Sequence, residues 1–292
     1  MVVGVLLHGS KLGAQLVPGR DLLEFPLGVI AESPAMANPS GFGLWNPASV
    51  AIPAGSRARL SVGSMSAPVD VAVSAQLGTV AGRWRDGTTI ALSLVSASVA
   101  DLLRTDSDPQ SLGDEIPYLT TLLSVIAARP VGPVTLGVAM RVRNGRLDTE
   151  SRHAVSMDVG VITRGLGPRD VRLAASTFLA SPFSHDHERA EALAAADARL
   201  VGQDSLRTSR IGVSYVLADG LYREAYTYTG ARWGRVEGRL GVAHTEAHGR
   251  TNWRARLGIA LHHRGYVIGV AREEGVDRLA ATYQFTLSSL LK

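Results

Sequence analysis

The sequence contains no cysteine. That excludes disulfide frameworks, thiol nucleophiles and cysteine-built metal sites. Aromatic residues make up only 5% of the chain, few for any protein and fewer still for a membrane barrel, whose rims usually carry aromatic girdles. No stretch reaches the roughly 18 consecutive apolar residues of a spanning helix, so any membrane insertion has to use strands. Lysine is almost missing, and the formal charge of +4 rests on arginine. No basic cluster is interleaved with stacking aromatics, which argues against a nucleic-acid partner.

What is present suits one folded domain. The 292 residues are 46% hydrophobic and 19% charged, too apolar for general disorder, and no Pro/Ser-rich linker divides them. At the N-terminus, Val2-Val-Gly-Val-Leu-Leu7 is a short apolar core and Lys11-Leu-Gly-Ala-Gln15 resembles a cleavage region. Residues 1–14 are therefore expected to be the remnant of a signal peptide. A basic leading segment is missing, so a start further upstream, or a buried strand of a cytosolic protein, stays open.

From Arg57 onward the residues alternate with period 2. Val134, Leu136, Val138, Met140 and Val142 interleave with small or charged residues, and Val155, Met157, Val159 and Val161 repeat the pattern. Such alternation puts one face in an apolar medium and the other in a polar one. Between these two runs, Asn144-Gly145 is a hairpin signal. Turn residues separate about 13 such candidates, and bacterial barrels generally use an even strand number. Strands of roughly 9–13 residues suit a tilted membrane crossing better than a sandwich. Two longer connections interrupt the series. Asp101 to Ile116 reads as an acidic loop, and Glu188 to Leu200 as an Ala-rich helix.

Before the strands lies Gly41-Phe-Gly-Leu-Trp-Asn-Pro-Ala-Ser-Val-Ala51. Asn46 is suited to capping a helix and Pro47 to its first position, so a helix of about one and a half turns is expected over Pro47 to Ile52. A short apolar helix followed by strands alone needs an interior to enter. Glu24-Phe-Pro-Leu-Gly28 followed by Leu44-Trp-Asn-Pro-Ala-Ser-Val-Ala51 resembles the N-terminal signature of the PorV/PorQ family, within the wider group of outer-membrane barrels similar to the fatty-acid transporter FadL. Trp45, Asn46, Pro47, Ala48 and Ala51 match. Ser49 and Val50 replace the usual Gly and Leu, and the usual acidic pair before the motif is absent.

The resemblance implies an all-β fold: an antiparallel transmembrane β-barrel of about 14 strands (12–14), with an N-terminal lumen segment containing a short helix. Residues 15–55 would be a plug carrying Trp45, Asn46, Pro47 and Ala48, and residues 56–292 the barrel. It further implies a place in the cell outer membrane, with lipid as a partner. The work implied is passage of small hydrophobic compounds or partnership with secretion-system proteins. A secreted soluble β-sandwich with a binding or structural role is the alternative, and a barrel-embedded hydrolase ranks last.

Alternate positions of the strands carry repeated charges: Arg141, Arg143, Asp158, Arg172, Arg210, Arg235, Glu237 and Arg239. In a barrel these face a hydrated lumen, where they either select anionic solutes or satisfy one another. Arg254 and Arg256 share this face. His185-Asp-His187-Glu188 is the one compact cluster of ligand-type side chains, and it reads as a solvated loop before a helix. His262-His263 points to opposite faces of a strand. No nucleophile elbow or phosphate-binding loop is present. No catalytic residue, cofactor or metal is assigned.

Overall fold

The computed structural model describes residues 17–292 apart from 24–26, 38–41, 68–71, 101, 103–114, 182–189, 205–206, 219–220, 248–249 and 276–280. The targeting segment expected over residues 1–14, the His185–Glu188 cluster and most of the expected acidic loop lie outside the described residues.

Fourteen strands run in chain order. They are β1 (Ala58–Ser66), β2 (Val73–Arg83), β3 (Thr89–Val99), β4 (Tyr118–Val131), β5 (Val134–Leu147), β6 (Glu150–Thr163) and β7 (Arg172–Phe178). There follow β8 (Glu191–Asp204), β9 (Arg207–Ala218), β10 (Leu221–Trp233), β11 (Val236–Ala247), β12 (Arg250–His263), β13 (Tyr266–Glu273) and β14 (Thr282–Leu291). Each pairs antiparallel with its sequence neighbours, and β1 pairs with β14, so the sheet closes on itself. The two-sheet alternative is thereby overturned.

The period-2 pattern dictates the two surfaces. Leu60, Val62, Val80, Leu92, Leu94, Val125, Val138, Met140, Val159, Ile259 and Val270 face outward and are exposed. Their alternates, such as Ala75, Ala91, Ala97, Ser93, Ser124 and Ala139, are buried in the interior. An apolar outer belt around a polar and small-residue interior is what a bilayer requires of a barrel with no free edge. The few aromatics are placed economically. Trp84, Trp233 and Tyr266 are exposed beside the turns at one rim, and Trp253 is exposed toward the other.

The two rims differ. At one, the connections 84–88, 132–133, 205–206, 234–235 and 264–265 are two to five residues and 164–171 is eight; β1 begins there and β14 ends there. At the other, 148–149, 219–220 and 248–249 are two residues each, but 100–117, 179–190 and 274–281 are longer than any connection of the first rim except 164–171, which 274–281 equals. In the short 84–88 turn, the Thr88 hydroxyl and amide both donate to the Asp86 carboxylate, at 2.8 and 3.0 Å. Those bonds hold that carboxyl below its ordinary range.

Three sequence expectations are corrected. The Ala-rich stretch from Glu188 to Leu200 is no helix where it is described: β8 occupies Glu191–Asp204, and it is the strand missing from the count. Alanine is the strongest helix former, but helix propensity is a weak prior that tertiary pairing overrides. Here Glu191, Leu193, Ala195 and Asp197 point inward, and Ala192 and Ala194 outward, so pairing to β7 and β9 decides. Asn144 and Gly145 lie within β5, and the turn sits at Asp148, whose φ of 55° an Asp side chain tolerates. Gly145 is small for another reason: a Cβ there would overlap the Pro18 carbonyl of the interior segment. Lastly, the expected helix over Pro47 to Ile52 is a single 3₁₀ turn, Pro47–Val50.

That turn and the other described residues between Val17 and Ala54 sit inside the barrel. Leu22, Leu23, Leu27, Val29, Met36, Phe42, Leu44 and Trp45 pack against inward residues of β1–β9, among them Met65, Leu77, Val95, Leu122 and Phe178. Gly137 and Gly160 make room for the 3₁₀ turn, because a Cβ at either would overlap Pro47–Ala48 or Asn46. Gly160→Val should therefore destabilise the folded barrel by about 1–3 kcal/mol through overpacking. Urea unfolding in lipid vesicles measures this, and an unchanged midpoint would mean that the segment shifts freely.

Candidate functional site

The interior segment enters near the long-loop rim. There Arg143 donates to the Val17 carbonyl at 3.2 Å and the Tyr118 hydroxyl bonds Asp21. The segment then descends toward the short-turn rim, and the Trp-Asn-Pro-Ala motif sits against β6 and β7. Trp45 Nε1 donates to the Leu27 carbonyl at 3.0 Å, and its ring lies 4.4 Å from that of Phe178 on β7. Such a pair contributes about 0.5–1.5 kcal/mol beyond its buried area. The Ser176 hydroxyl donates to the Trp45 carbonyl at 2.8 Å. Asn46 Oδ1 accepts from the Ala48 amide at 2.9 Å and so caps the turn. Its Nδ2 donates to Ala35 at 2.9 Å and to Val161 on β6 at 3.2 Å, with the Ala175 carbonyl on β7 at 3.5 Å.

Asn46 thus spans the weakest seam of the wall. Only Gly160–Ile162 of β6 pairs in register with Ala174–Ser176 of β7, whereas β5 and β6 pair over their full length, from Val134 opposite Thr163 to Leu147 opposite Glu150. On both flanks of the short ladder side chains take up backbone amides, although the Met157 amide still donates to the Ala180 carbonyl across the seam at 2.8 Å. The Val159 amide donates to Thr177 Oγ1 at 3.0 Å, the Leu173 amide to Thr163 Oγ1 at 2.8 Å, and the Ala180 amide to Asp158 at 3.0 Å.

The charges expected in the lumen are largely collected there, in pairs. Arg141 and Asp158 are fully buried with 2.5 Å between Nε and the carboxylate. Arg141 also donates to the Leu44 and Gly43 carbonyls at 2.7 and 3.2 Å, tying the pair to the interior segment. A second series crosses the barrel. His262 meets Glu237 at 2.8 Å, Glu237 meets Arg239 at 2.6 Å, and Arg239 meets Glu32 of the interior segment at 2.9 Å. Glu32 in turn lies 3.5 Å from Arg172, which pairs with Asp197, and Asp197 and Asp170 both bind Arg210, at 2.6 and 2.5 Å. Further round, Arg254 and Arg256 share Glu224 and Glu273, with the Arg256 guanidinium 4.6 Å over the Tyr226 ring.

Arg235 departs from the expectation. It is exposed in the turn between β10 and β11, because that hairpin closes one residue before strand parity would turn the side chain inward. Of the histidine pair, His262 faces inward on Glu237 and His263 faces out. Glu32, Asp197, Glu224 and Glu273 were missed. Asp197 was hidden by the helical reading of β8, but its spacing from Glu191, Leu193 and Ala195 carries the parity that would have found it. Glu32 has no periodic context, so nothing local marks it.

Below the segment, the short-turn half of the lumen holds a cavity of about 710 Å³. Ile52, Pro53, Arg59, Arg83, Arg172, Asp197, Arg210, Glu237, Arg239, His262 and Leu290 are among the residues lining it. Among the described residues no cluster of His, Asp and Glu is arranged to hold a metal.

No protein-family model matches this chain, and no curated protein does. Among solved structures it is similar to the toluene transporter TbuX of Ralstonia pickettii, with TM-score 0.54 and 11% identity over 91% of this chain and 95% of that one. It also resembles the outer membrane protein Omp33 of Acinetobacter baumannii, with TM-score 0.46 and 7% identity over 81% of this chain and 98% of that one. The likeness to TbuX bears on the fold, and the weaker one adds nothing to it. With the apolar belt and closed sheet, the chain is an outer-membrane β-barrel.

Asp158→Ala would leave Arg141 buried without its carboxylate and should cost about 3–5 kcal/mol of stability. The double variant Arg141→Met/Asp158→Leu should lose less, because it leaves no buried charge unpaired. Urea unfolding of both variants in vesicles checks the order, and a single variant as stable as the parent would show that Arg141 has another sufficient partner.

Proposed function

We propose that this barrel passes small hydrophobic compounds across the outer membrane, its short-turn rim facing the periplasm and its longer loops the exterior. One observation carries the reading: the β6–β7 ladder is cut to three positions, and the interior motif, through Asn46 and Trp45, bridges it from inside. An apolar solute arriving at the long-loop half would leave the lumen for lipid, or reach the cavity below, only by displacing these side chains. Every other neighbouring pair of strands shares at least seven register positions against three here, and the long-loop half is packed with apolar side chains of the segment, so this seam is the path of least backbone disruption. The name of TbuX, a toluene transporter, is in keeping with a solute of this class. No group arranged for nucleophilic or acid–base chemistry enters this account.

A cysteine-free chain makes the test clean. Val159→Cys/Thr177→Cys places two thiols opposite one another across the seam, in line with the pairing of Gly160 to Ser176. In cells lacking other uptake routes, expression of the parent should raise toluene entry. Oxidation of the double variant should lower it about tenfold, and reductant should restore it. Asn46→Ala should increase passive leak in vesicles without unfolding the barrel. Equal uptake with the seam locked would sink the seam as the route. No effect of the barrel on uptake, together with lost protein secretion in the deletion strain, would favour the export-partner role implied by the PorV/PorQ resemblance.

A further inference from the structure

The carboxylates lining the short-turn cavity are already engaged: Glu32 and Glu237 by Arg239, and Asp197 by Arg172 and Arg210. Four arginines of the same cavity have no carboxylate partner among the described residues; Arg164 is exposed and Arg232 donates through Nε to the Gly234 carbonyl at 3.1 Å, which leaves Arg59 and Arg83. Among the described residues Arg59 and Arg83 make no ion pair, and the Nε of each is buried without a hydrogen-bond partner. Arg59 is 5% exposed, and its one bond is from Nη1 to the Ser49 carbonyl at 3.3 Å. The register sets them side by side. Arg59 lies opposite Ala81, so Arg83 is its diagonal neighbour on the same inward face. Positions related in this way are about 7–8 Å apart, close enough for two guanidiniums to reach one phosphate or carboxylate group.

We propose that this cavity is an oxyanion-binding site recognised by Arg59 and Arg83. A buried guanidinium lacking a counter-charge is costly, and an anion there would supply both the charge and the missing acceptors. The surrounding low-dielectric wall focuses the field of these unmatched cations. Ile52 and Leu290, beside Arg59, give the site an apolar flank, so the oxyanion is either free phosphate or the carboxylate head of an organic solute. The inference rests on the transport reading only for its purpose, that of selecting a solute class at the inner mouth. Binding itself needs no transport.

The test is calorimetric titration of the full chain in detergent micelles at low salt, with inorganic phosphate and separately with benzoate. At least one should bind, and Arg59→Gln/Arg83→Gln should weaken it tenfold or more while keeping heat-modifiable gel mobility. Should the double variant fail to fold, Arg83→Gln alone, at the less buried position, gives the same reading with a smaller loss. Tighter benzoate than phosphate assigns a carboxylate-headed solute, and the reverse assigns the free oxyanion. Binding of neither probe by the parent, or equal binding by a folded variant, overturns the site. Intact anion binding without toluene uptake would sink the transport reading and leave the site standing.

Discussion

A sheet of fourteen strands encloses more room than its own inward side chains can fill, whereas about eight strands would fill theirs. That constraint governs the rest of the molecule. The space has to hold water, a ligand or another part of the chain; the described residues of the N-terminal segment fill the long-loop half, and its end, at Ile52 and Pro53, reaches the cavity below. Their backbone polar groups then need partners far from bulk solvent, and the wall supplies them: Arg141 to Gly43 and Leu44, Ser176 to Trp45, Thr79 to Phe42, Tyr226 to Ala31. Inward side chains of the barrel are therefore chosen for the segment as much as for the wall.

The interior is also divided by chemistry. The wall from β1 to β5 presents small and apolar side chains, such as Ala75, Leu77, Ala97 and Leu122, to the apolar residues of the segment. The wall from β7 to β13 carries the linked charges, and Glu32 is where the segment joins them. Because each buried charge has a partner, this side holds the segment by specific contacts rather than by area. The seam lies where the two chemistries meet, between β6 and β7. Its ladder is short there although all seven residues of β7, Arg172–Phe178, pair with β8, and Asp158, Thr163 and Thr177 accept the flanking backbone amides with side chains.

Much of the wall was legible in the sequence. Period-2 alternation with turn residues between the runs marks a strand whatever its neighbours, because the pleat itself imposes the period. β8 escaped because alanine is small enough for either surface of a wall and prefers a helix when alone. Asn144-Gly145 misled because a glycine required by close approach is indistinguishable, in one dimension, from a glycine required by a turn. At the motif, Asn46 could be read as a cap from its own neighbours, but its bonds to Val161 and Ala175 could not, since those partners lie more than a hundred residues away.

The amino-acid sequence by itself determined the class of fold, the two-faced strands, the exclusion of thiol and helical-membrane solutions, and the arginines available to the lumen. Each of these follows from residue type and short-range period alone. Only the tertiary structure decided the closing of β1 on β14, the number of strands, which carboxylate answers each arginine, and where the wall is weakest. It also set Arg59 and Arg83 side by side on one inward face, each with a buried Nε that has no hydrogen-bond partner and neither with an ion pair among the described residues. Pairing and burial are properties of distances between remote positions, and those distances exist only once the sheet has closed around its segment.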